Sequence, residues 1–304
     1  KNIVYAKNKS VLVTACEGNL TFRNGRFHVE NVYEVGGNVD NSVGNIDFSG
    51  SVYIHGVVFE GYSVSARGDI TVTGIVEGAT LKAGGDIILH KGMRGMKKGV
   101  LDARGNITGK FLEDSKISAG GSIQAEYIIN SEVSCNKELL LMGRRGALIG
   151  GSCAVFNRIR VKSIGTVNQT PTVVTLGITP VLLEQIAHVS GELKKTSQGY
   201  EEALKNQGFL LKKKEHGTIS AAQSQRLSEL NIQIPVARMK ISTLQKRKNE
   251  LELYMQQVGK SRLEADQVFP GTVILMGDDK LVIRREESRC LFYYMDGRIK
   301  MGTF

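Results

Sequence analysis

The sequence has little that marks a secreted, membrane-spanning or metal-binding protein. Its four cysteines, Cys16, Cys135, Cys153 and Cys290, are widely separated and form no Cys-x-x-Cys pair, so neither a zinc site nor a disulfide framework is predicted. No apolar run approaches the roughly 20 residues of a membrane-spanning helix, and no signal-peptide pattern is recognisable. The five histidines are dispersed and suggest no metal or cofactor site. We therefore expect a cytoplasmic protein with free thiols.

Proline is absent from the first half of the chain, where glycine is concentrated instead. All four prolines follow residue 170, whereas most glycines lie between Gly36 and Gly165. After Pro180 the chain is rich in Leu, Lys, Glu and Gln, and after Val268 it returns to short β-like runs. The predicted order is strands, then long helices, then strands again.

A short motif of glycine, a small polar residue and a β-branched residue recurs through the glycine-rich zone. From Gly50 onward its period is about 16 to 20 residues, near the range of solenoid repeats. Its copies are Gly44-Asn45-Ile46, Gly50-Ser51-Val52, Gly68-Asp69-Ile70, Gly85-Asp86-Ile87, Gly105-Asn106-Ile107 and Gly121-Ser122-Ile123.

A second pattern runs in step with the first, in which an apolar residue precedes a small one by two positions. Because side chains alternate across a strand, both members should face inward and stack into columns from coil to coil. The sequence therefore predicts a mainly β fold, a right-handed parallel β-helix (β-solenoid) of about six or seven coils. The pairs are Val64 and Ala66, Leu81 and Ala83, Leu101 and Ala103, Ile117 and Ala119, and Val133 and Cys135.

The repeats argue against several catalytic interpretations. No helical pattern follows the Gly-Gly steps, so the context of a nucleotide-binding loop is missing. Cys135 occupies an alanine position and is expected to be a small core residue rather than a nucleophile. Asp69 and Asp86 should lie one above the other; they are either exposed turn residues or, less simply, share a cation.

Two segments interrupt the repeat and carry positive charge. Residues 90–99 and 142–151 are predicted as loops, and solenoid insertions are often where binding occurs. The candidate interaction residues are Lys91, Arg94, Lys97, Lys98, Arg144 and Arg145.

The helical zone predicts a long antiparallel coiled-coil hairpin. Thr179 and Pro180 form a helix start, and Ser220 with Gln223 forms a capping box after the turn. Apolar or small residues keep a 4-3 spacing in both helices. They are Leu182, Ile186, Val189, Leu193, Thr196, Tyr200 and Ala203, and then Leu227, Leu230, Ile234, Ala237, Ile241, Leu244, Leu251, Met255 and Val258.

The sequence resembles the family of flagellar assembly protein A (FapA). The resemblance lies in "GGNVDNSVGNIDFSGSVYIHGVV", "GDITVTGIVEGATLKAGGDI", "GRRGALIGG" followed by "SIGT", and "FPGTVILMG". The coils are also similar in kind to those of the C-terminal domain of the division inhibitor MinC and of bactofilins. The resemblance implies a bacterial protein of flagellar assembly or of cell-surface and polar organisation that acts through protein contacts.

Five regions are predicted. Residues 1–35 resemble the end of that family's N-terminal domain, and because the chain begins with Lys1 we expect more sequence upstream. The remaining regions are a solenoid at 36–165, a linker at 166–179, the hairpin at 180–265, and strands at 266–304 that return to the solenoid and cap it.

The main functional hypothesis is a non-enzymatic scaffold that binds other proteins and could self-associate through the solenoid ends or the helical arm. The net charge of +10 supports a first alternative, an anion-binding module for nucleic acid or a membrane surface. A carbohydrate-active enzyme is the second alternative, for which Asp69, Asp86 and Asp102 would have to share one groove.

Overall fold

The computed structural model describes residues 3–5, 12–14, 18–23, 25–177, 180–255 and 261–304. The chain forms two compact units, of which the first contains Lys1–Val181 with Val258–Phe304 and the second contains Leu182–Gln257. The first unit is made of strands and the second of two helices.

The strand unit contains a few short antiparallel pairs and a long parallel array. In chain order its first strands are β1 (Ile3–Tyr5), β2 (Leu12–Thr14), β3 (Asn19–Arg23), β4 (Arg26–Glu30), β5 (Val32–Val35), β6 (Ile46–Phe48), β7 (Ser51–Ile54), β8 (Ser63–Ala66), β9 (Ile70–Val72), β10 (Ile75–Glu77), β11 (Thr80–Ala83), β12 (Ile87–Leu89) and β13 (Gly92–Ala103). They are followed by β14 (Ile107–Thr108), β15 (Phe111–Ala119), β16 (Ile123–Ala125), β17 (Tyr127–Cys135), β18 (Glu138–Leu141), β19 (Ala147–Val155), β20 (Arg158–Ile164), β21 (Thr172–Leu176), β22 (Arg262–Val268), β23 (Thr272–Met276), β24 (Asp279–Val282), β25 (Glu287–Met295) and β26 (Arg298–Thr303).

Parallel pairing stacks the strands from β5 to β23 into three columns, which form the three faces of a β-solenoid of about eight turns. The first face runs through β5, β7, β9, β12, β14, β16, β18, β20 and β22. The second runs through β6, β8 and β11, the C-terminal parts of β13, β15, β17 and β19, and then β21 and β23. The third begins with bridges between Val39, Val58 and Val76 and continues through β10 and the N-terminal parts of β13, β15, β17 and β19.

The core lies between the faces and consists of columns of like residues, as the repeats predicted. Leu81 pairs with Val64 on one side and Leu101 on the other, and all three are fully buried. Ala83 lies in the adjacent column between two further alanines. Each coil thus buries apolar side chains that its own thin layer could not shield.

Cys135 continues the alanine column, since it pairs with Ala119 and is fully buried. This confirms its interpretation as a small core residue. Cys153 and Cys290 are also buried free thiols, whereas Cys16 lies outside the described residues.

The solenoid extends beyond the predicted bounds in both directions. Strand β5, within the predicted N-terminal region, belongs to the first coil. Strand β21, within the predicted linker, pairs in parallel with β19 and β23. Strands β22 and β23 add a further turn, and the strands that follow them, β24, β25 and β26, pair antiparallel. The prediction of six or seven coils was therefore too low, because turns without the Gly-polar-β-branched motif were not counted. Right-handedness stays a prediction.

The recurrent glycine motif forms a ladder of hydrogen bonds at one corner. The Asp69 Oδ1 atom accepts from the N–H of Asp86 at 2.8 Å, and Asp86 Oδ1 accepts from the N–H of Asn106 at 2.7 Å. The next step repeats this contact, since Asn106 Oδ1 accepts from the N–H of Ser122 at 2.9 Å. A Cβ atom at Gly85 would overlap Asp69 Oδ1, so glycine is required there for close approach.

The second unit contains helix α1 (Pro180–Glu215) and helix α2 (Ala221–Met255). Ser220 and Gln223 form the predicted reciprocal capping box, with N–O distances of 3.1 and 3.3 Å. Within the described ranges, neither helix combines the length and the apolar character needed to cross a membrane.

The two helices contact each other in opposite chain directions. Gln207 donates to Asn231 at 2.7 Å, and Glu192 lies 3.9 Å from Lys240. Leu210, Leu227 and Leu230 form a small buried cluster nearer the turn. The least exposed positions of both helices follow the predicted 4-3 spacing; supercoiling stays a prediction. Thr179, Val258 and the side chains of Leu182 and Met255 lie outside the described part.

Candidate interaction surface

Two coils are longer than their neighbours, and both extra segments border the third face. Ile87 pairs with Ile107, twenty residues later, and Leu139 pairs with Ile159 at the same spacing. By contrast, Ile107 pairs with Ile123, sixteen residues later. The longer coils contain the two basic segments that the sequence analysis singled out.

The first extra segment is a bulge of residues 95–98 inside β13. Arg94 and Gly99 keep their pairing with β15, so the bulge lies opposite Asp114 alone. Two bulge residues, Met96 and Lys97, have φ values of 53° and 61°. The prediction of a loop over 90–99 was therefore wrong for most of the segment, because parallel pairing on both sides keeps it in a strand.

The second extra segment is a turn of residues 142–146 at the opposite edge of the third face. It lies opposite Glu126 alone, because pairing resumes at once in β19. The Glu126 carboxylate accepts the backbone N–H groups of Arg144 and Arg145 at 3.0 and 3.3 Å. These two bonds hold the turn while leaving both arginine side chains exposed.

Between the two insertions, the third face presents Arg94, Phe111, Tyr127, Ile129 and Ile149 to solvent; we call these residues the third-face strip. The rings of Phe111 and Tyr127 stack with their centroids 6.0 Å apart and their planes 17° apart. Both residues are half-buried. The strip therefore combines apolar area with ordered side chains, a combination found at protein interfaces.

An arginine from the second insertion extends this stack. The Arg145 guanidinium carbon lies 4.7 Å from the centroid of the Tyr127 ring, a cation–π geometry. Burial, followed by the negative charge of Glu113, raises the pKa of the Tyr127 hydroxyl, so Tyr127 remains a neutral hydrogen-bonding group at physiological pH. The insertion and the strip thus form one continuous surface.

The six predicted interaction residues do not form one cluster. Lys91, Arg144 and Arg145 lie at the corner between the first and third faces, Arg94 lies on the third face, and Lys97 and Lys98 lie at the corner between the third and second faces.

One of these cations is already paired. Lys98 Nζ lies 2.6 Å from the Glu60 carboxylate, and this hydrogen bond raises the pKa of Lys98. Lys91, Arg94, Lys97, Arg144 and Arg145 make no ion pair with any residue that the structure describes. Positive charge therefore borders the strip on both sides, while Glu77 and Glu113 lie beside Arg94 in register.

Each insertion also exposes a methionine. Met96 is 46% exposed and Met142 is 45% exposed. Methionine side chains adapt their shape to a partner at low conformational cost, so each insertion offers an apolar contact beside its cations.

Sequence analysis missed several members of this surface, among them Lys110, Phe111 and Tyr127. The N–H of Lys110 donates to the carbonyl of Lys91 at 2.7 Å, which places a further cation on the same corner. The signal was present, because "KFLED" and "EYIIN" stand in the same register as "KGMRG". Reading the coil register outward as well as inward would have found all three.

The three aspartates considered for catalysis have different positions. Asp69 and Asp86 belong to the corner ladder, where each accepts a backbone N–H of the next coil. Asp102 pairs with Lys82 on the second face. Within the described ranges, no three His, Cys, Asp or Glu side chains converge as a metal site would require.

Fold and surface together define a parallel β-solenoid protein with one face framed by two basic insertions. The sequence matches the family described as Flagellar Assembly Protein A beta solenoid domain over residues 31–299. The chain therefore belongs to the FapA family, and this membership connects it with flagellar assembly. Searches of curated proteins and of solved structures found no match.

Proposed function

We propose that this protein is a non-enzymatic scaffold of flagellar assembly that binds an acidic protein partner on the third-face strip. The observation that carries the proposal is the continuous stack of Phe111, Tyr127 and Arg145 between two basic insertions. Tyrosine and arginine are the residues that most often dominate binding energy at protein interfaces.

The contacts of the strip favour a folded or peptide partner over a simple polyanion. Phosphate backbones need cations but little apolar area, whereas this surface adds Ile129, Ile149 and two exposed methionines to its cations. A partner with acidic groups around an apolar centre would satisfy both features. The anion-binding module remains the second candidate, supported by the five cations that form no ion pair within the described residues.

The absence of enzymatic activity is part of the proposal. The carboxylates of Asp69 and Asp86 are engaged as acceptors for backbone N–H groups, a structural role that accounts for their recurrence. Asp102 lies in another column, so its carboxylate would have to act in catalysis without Asp69 and Asp86.

The finer features of the architecture also belong to the proposal. The helices form an antiparallel coiled coil, the solenoid is right-handed, and the protein acts in the cytoplasm, where its buried free thiols would stay reduced. Self-association through the C-terminal end of the solenoid is disfavoured, because β25 and β24 pair with β22 and β23 there.

The test is affinity capture of the tagged full chain from cells that make it, with a matched pair of variants. The double variant Tyr127→Ala, Arg145→Glu should no longer capture the partner protein, since a central Tyr–Arg pair contributes more than about 2 kcal/mol to binding. Tyr53→Ala with Lys82→Glu makes a comparable change on the first and second faces and should retain it.

Two results would contradict the proposal. One is capture of the same proteins by both variants. The other is salt-sensitive binding to DNA or to anionic vesicles that needs Tyr127 and Arg145 while no protein is retained; this would support the anion-binding module instead.

A further inference from the structure

Helix α2 carries apolar side chains on two opposite sides. One side contacts α1 through Leu227 and Leu230. On the other, Ile232, Val236 and Met239 are 71%, 62% and 73% exposed. Exposing three neighbouring large apolar side chains to water is unfavourable in free energy unless a partner covers them.

The exposed side chains have the spacing of a helix-packing seam. Ile232, Val236 and Met239 follow each other at intervals of four and three residues, so they form one stripe about 10 Å long on the helix surface. Each lies two positions after a seam residue, for example Val236 after Ile234, which is a rotation of about 200°. The stripe thus faces away from α1, as in the central helix of a three-helix arrangement.

The charge around the stripe indicates which kind of partner would bind there. Residues 230–249 contain five lysines and arginines and no Asp or Glu. Arg238 and Lys240 are exposed and flank Met239 in sequence, and Lys240 also lies 3.9 Å from Glu192 of α1. A second copy of α2 would bring these cations together, whereas glutamates beside the apolar seam of another helix would pair with them.

We propose that the stripe formed by Ile232, Val236 and Met239 is a second docking site, which takes an acidic amphipathic helix of a partner protein. The partner helix lays its apolar side on the stripe and its carboxylates beside Arg238 and Lys240. This site lies in the helical unit and shares no residue with the third-face strip.

The probe is a synthetic peptide of about three heptads with Leu at the 4-3 positions and Glu at the flanking positions. A control peptide has Lys in place of each Glu. Binding to the full chain is measured by fluorescence anisotropy at low and high salt. The acidic peptide should bind, and its affinity should fall as the salt concentration rises. The Lys peptide should not bind.

The matched variants separate the stripe from general stickiness. The first variant combines Ile232→Gln, Val236→Gln and Met239→Gln. It should raise the Kd of the acidic peptide by at least about 30-fold, since three buried apolar contacts are lost. Leu204→Gln with Leu211→Gln, which changes exposed leucines of α1, should leave binding within about twofold. Far-UV circular dichroism verifies that the helices persist in both variants.

The proposal is overturned if the wild-type chain does not bind the acidic peptide, or if the triple variant binds it equally well. It is also overturned if sedimentation equilibrium finds a wild-type oligomer that the triple variant dissolves, because the occupant is then a second copy. Tyr127 and Arg145 are unchanged in these variants, so the result is independent of the third-face strip.

Discussion

In the regular strands of the solenoid, such as β11, side chains alternate between the core and the outer surface. Ala83 is 5% exposed and lies between Ala66 and Ala103 in an interior column, whereas its neighbour Lys82 pairs with Ser65 and Asp102 on the outer surface. A single-residue change of position therefore exchanges core for solvent.

Replacing Ala83 with Lys should destabilise the solenoid by several kcal/mol, because a charged side chain would enter an apolar column that has no partner for it. Lys82→Ala should change the free energy of unfolding by less than about 0.5 kcal/mol. Thermal melts followed by circular dichroism measure both. Equal melting temperatures would contradict the register.

The interior thiols give a second residue-scale prediction, on pH. Burial raises the pKa of the Cys135 thiol to about 12, whereas the unfolded chain loses this proton near pH 9. Above about pH 9 the unfolded state binds fewer protons, so the stability of the fold should fall by about 1.4 kcal/mol per pH unit until about pH 12.

The check is denaturant unfolding as a function of pH for wild type and Cys135→Ala. The variant fills the column with the residue found one coil earlier and should lose stability less steeply in alkali. Ser118→Ala, on the outer side, should follow wild type. Parallel slopes for wild type and Cys135→Ala would argue against the buried thiol as the cause.

Sequence patterns predicted the inner residues well and the outer ones poorly. Columns such as Val64, Leu81 and Leu101 were predictable because burial restricts each position to apolar residues of similar size. Phe111, Tyr127 and Lys110 were missed because solvent-facing positions vary freely and only three-dimensional stacking brings them together. The positive charges of Arg144 and Arg145 were visible in the sequence. The conformation of their turn was not, because it depends on Glu126 in the preceding coil.

At the scale of elements, strands β20 and β22 pair with each other although both helices lie between them in the sequence. Arg158 and Glu264 join them through two hydrogen bonds of 2.8 and 2.7 Å. Glu264 is largely buried, and Arg160 lies 3.8 Å from the same carboxylate. This pair links residues that are more than a hundred positions apart.

Glu264→Gln should lower the free energy of unfolding by about 1 to 2 kcal/mol, because a charge-assisted, two-bond contact is lost at a partly buried site. Arg160→Ala should cost less than about 0.5 kcal/mol, since that contact is long and exposed. Denaturant titration measures both. An unchanged midpoint for Glu264→Gln would show that strand pairing alone closes the coil.

Element boundaries were harder to predict than element types. The bulge at 95–98 looked like a loop because Gly, Lys and Arg are common in loops, yet pairing with β15 on both sides of it keeps β13 continuous. The 4-3 spacing located both helices, but it gave no hint that Ile232 and Met239 would be exposed on the opposite side.

At the scale of the whole molecule, the helical unit is an insertion at one corner of a coil. In the preceding turn the same corner, from Val155 in β19 to Arg158 in β20, is crossed by two residues. The strands β21 and β22 stack directly on β19 and β20, so the ends of the insertion must be about as close together.

Replacing residues 177–261 with Phe-Asn, the corner found at 156–157, should therefore give a solenoid that folds without helices. Circular dichroism should show loss of the helical signal and retention of a cooperative β-sheet melt. The isolated segment 180–255 is the companion sample and should be helical. Aggregation of the shortened chain at every temperature would contradict the corner geometry.

The corner ladder of Ser51, Asp69, Asp86, Asn106 and Ser122 has a direction. The side chains of Ser51, Asp69, Asp86 and Asn106 each accept a backbone N–H of the coil that follows, and Ser122 supplies the last of these N–H groups. The corner is also bonded in the other direction, because the N–H of Ile87 donates to the carbonyl of Asn106 in the following coil at 2.9 Å. Removal of any one inner coil would therefore leave unpaired backbone or side-chain groups on both of its neighbours.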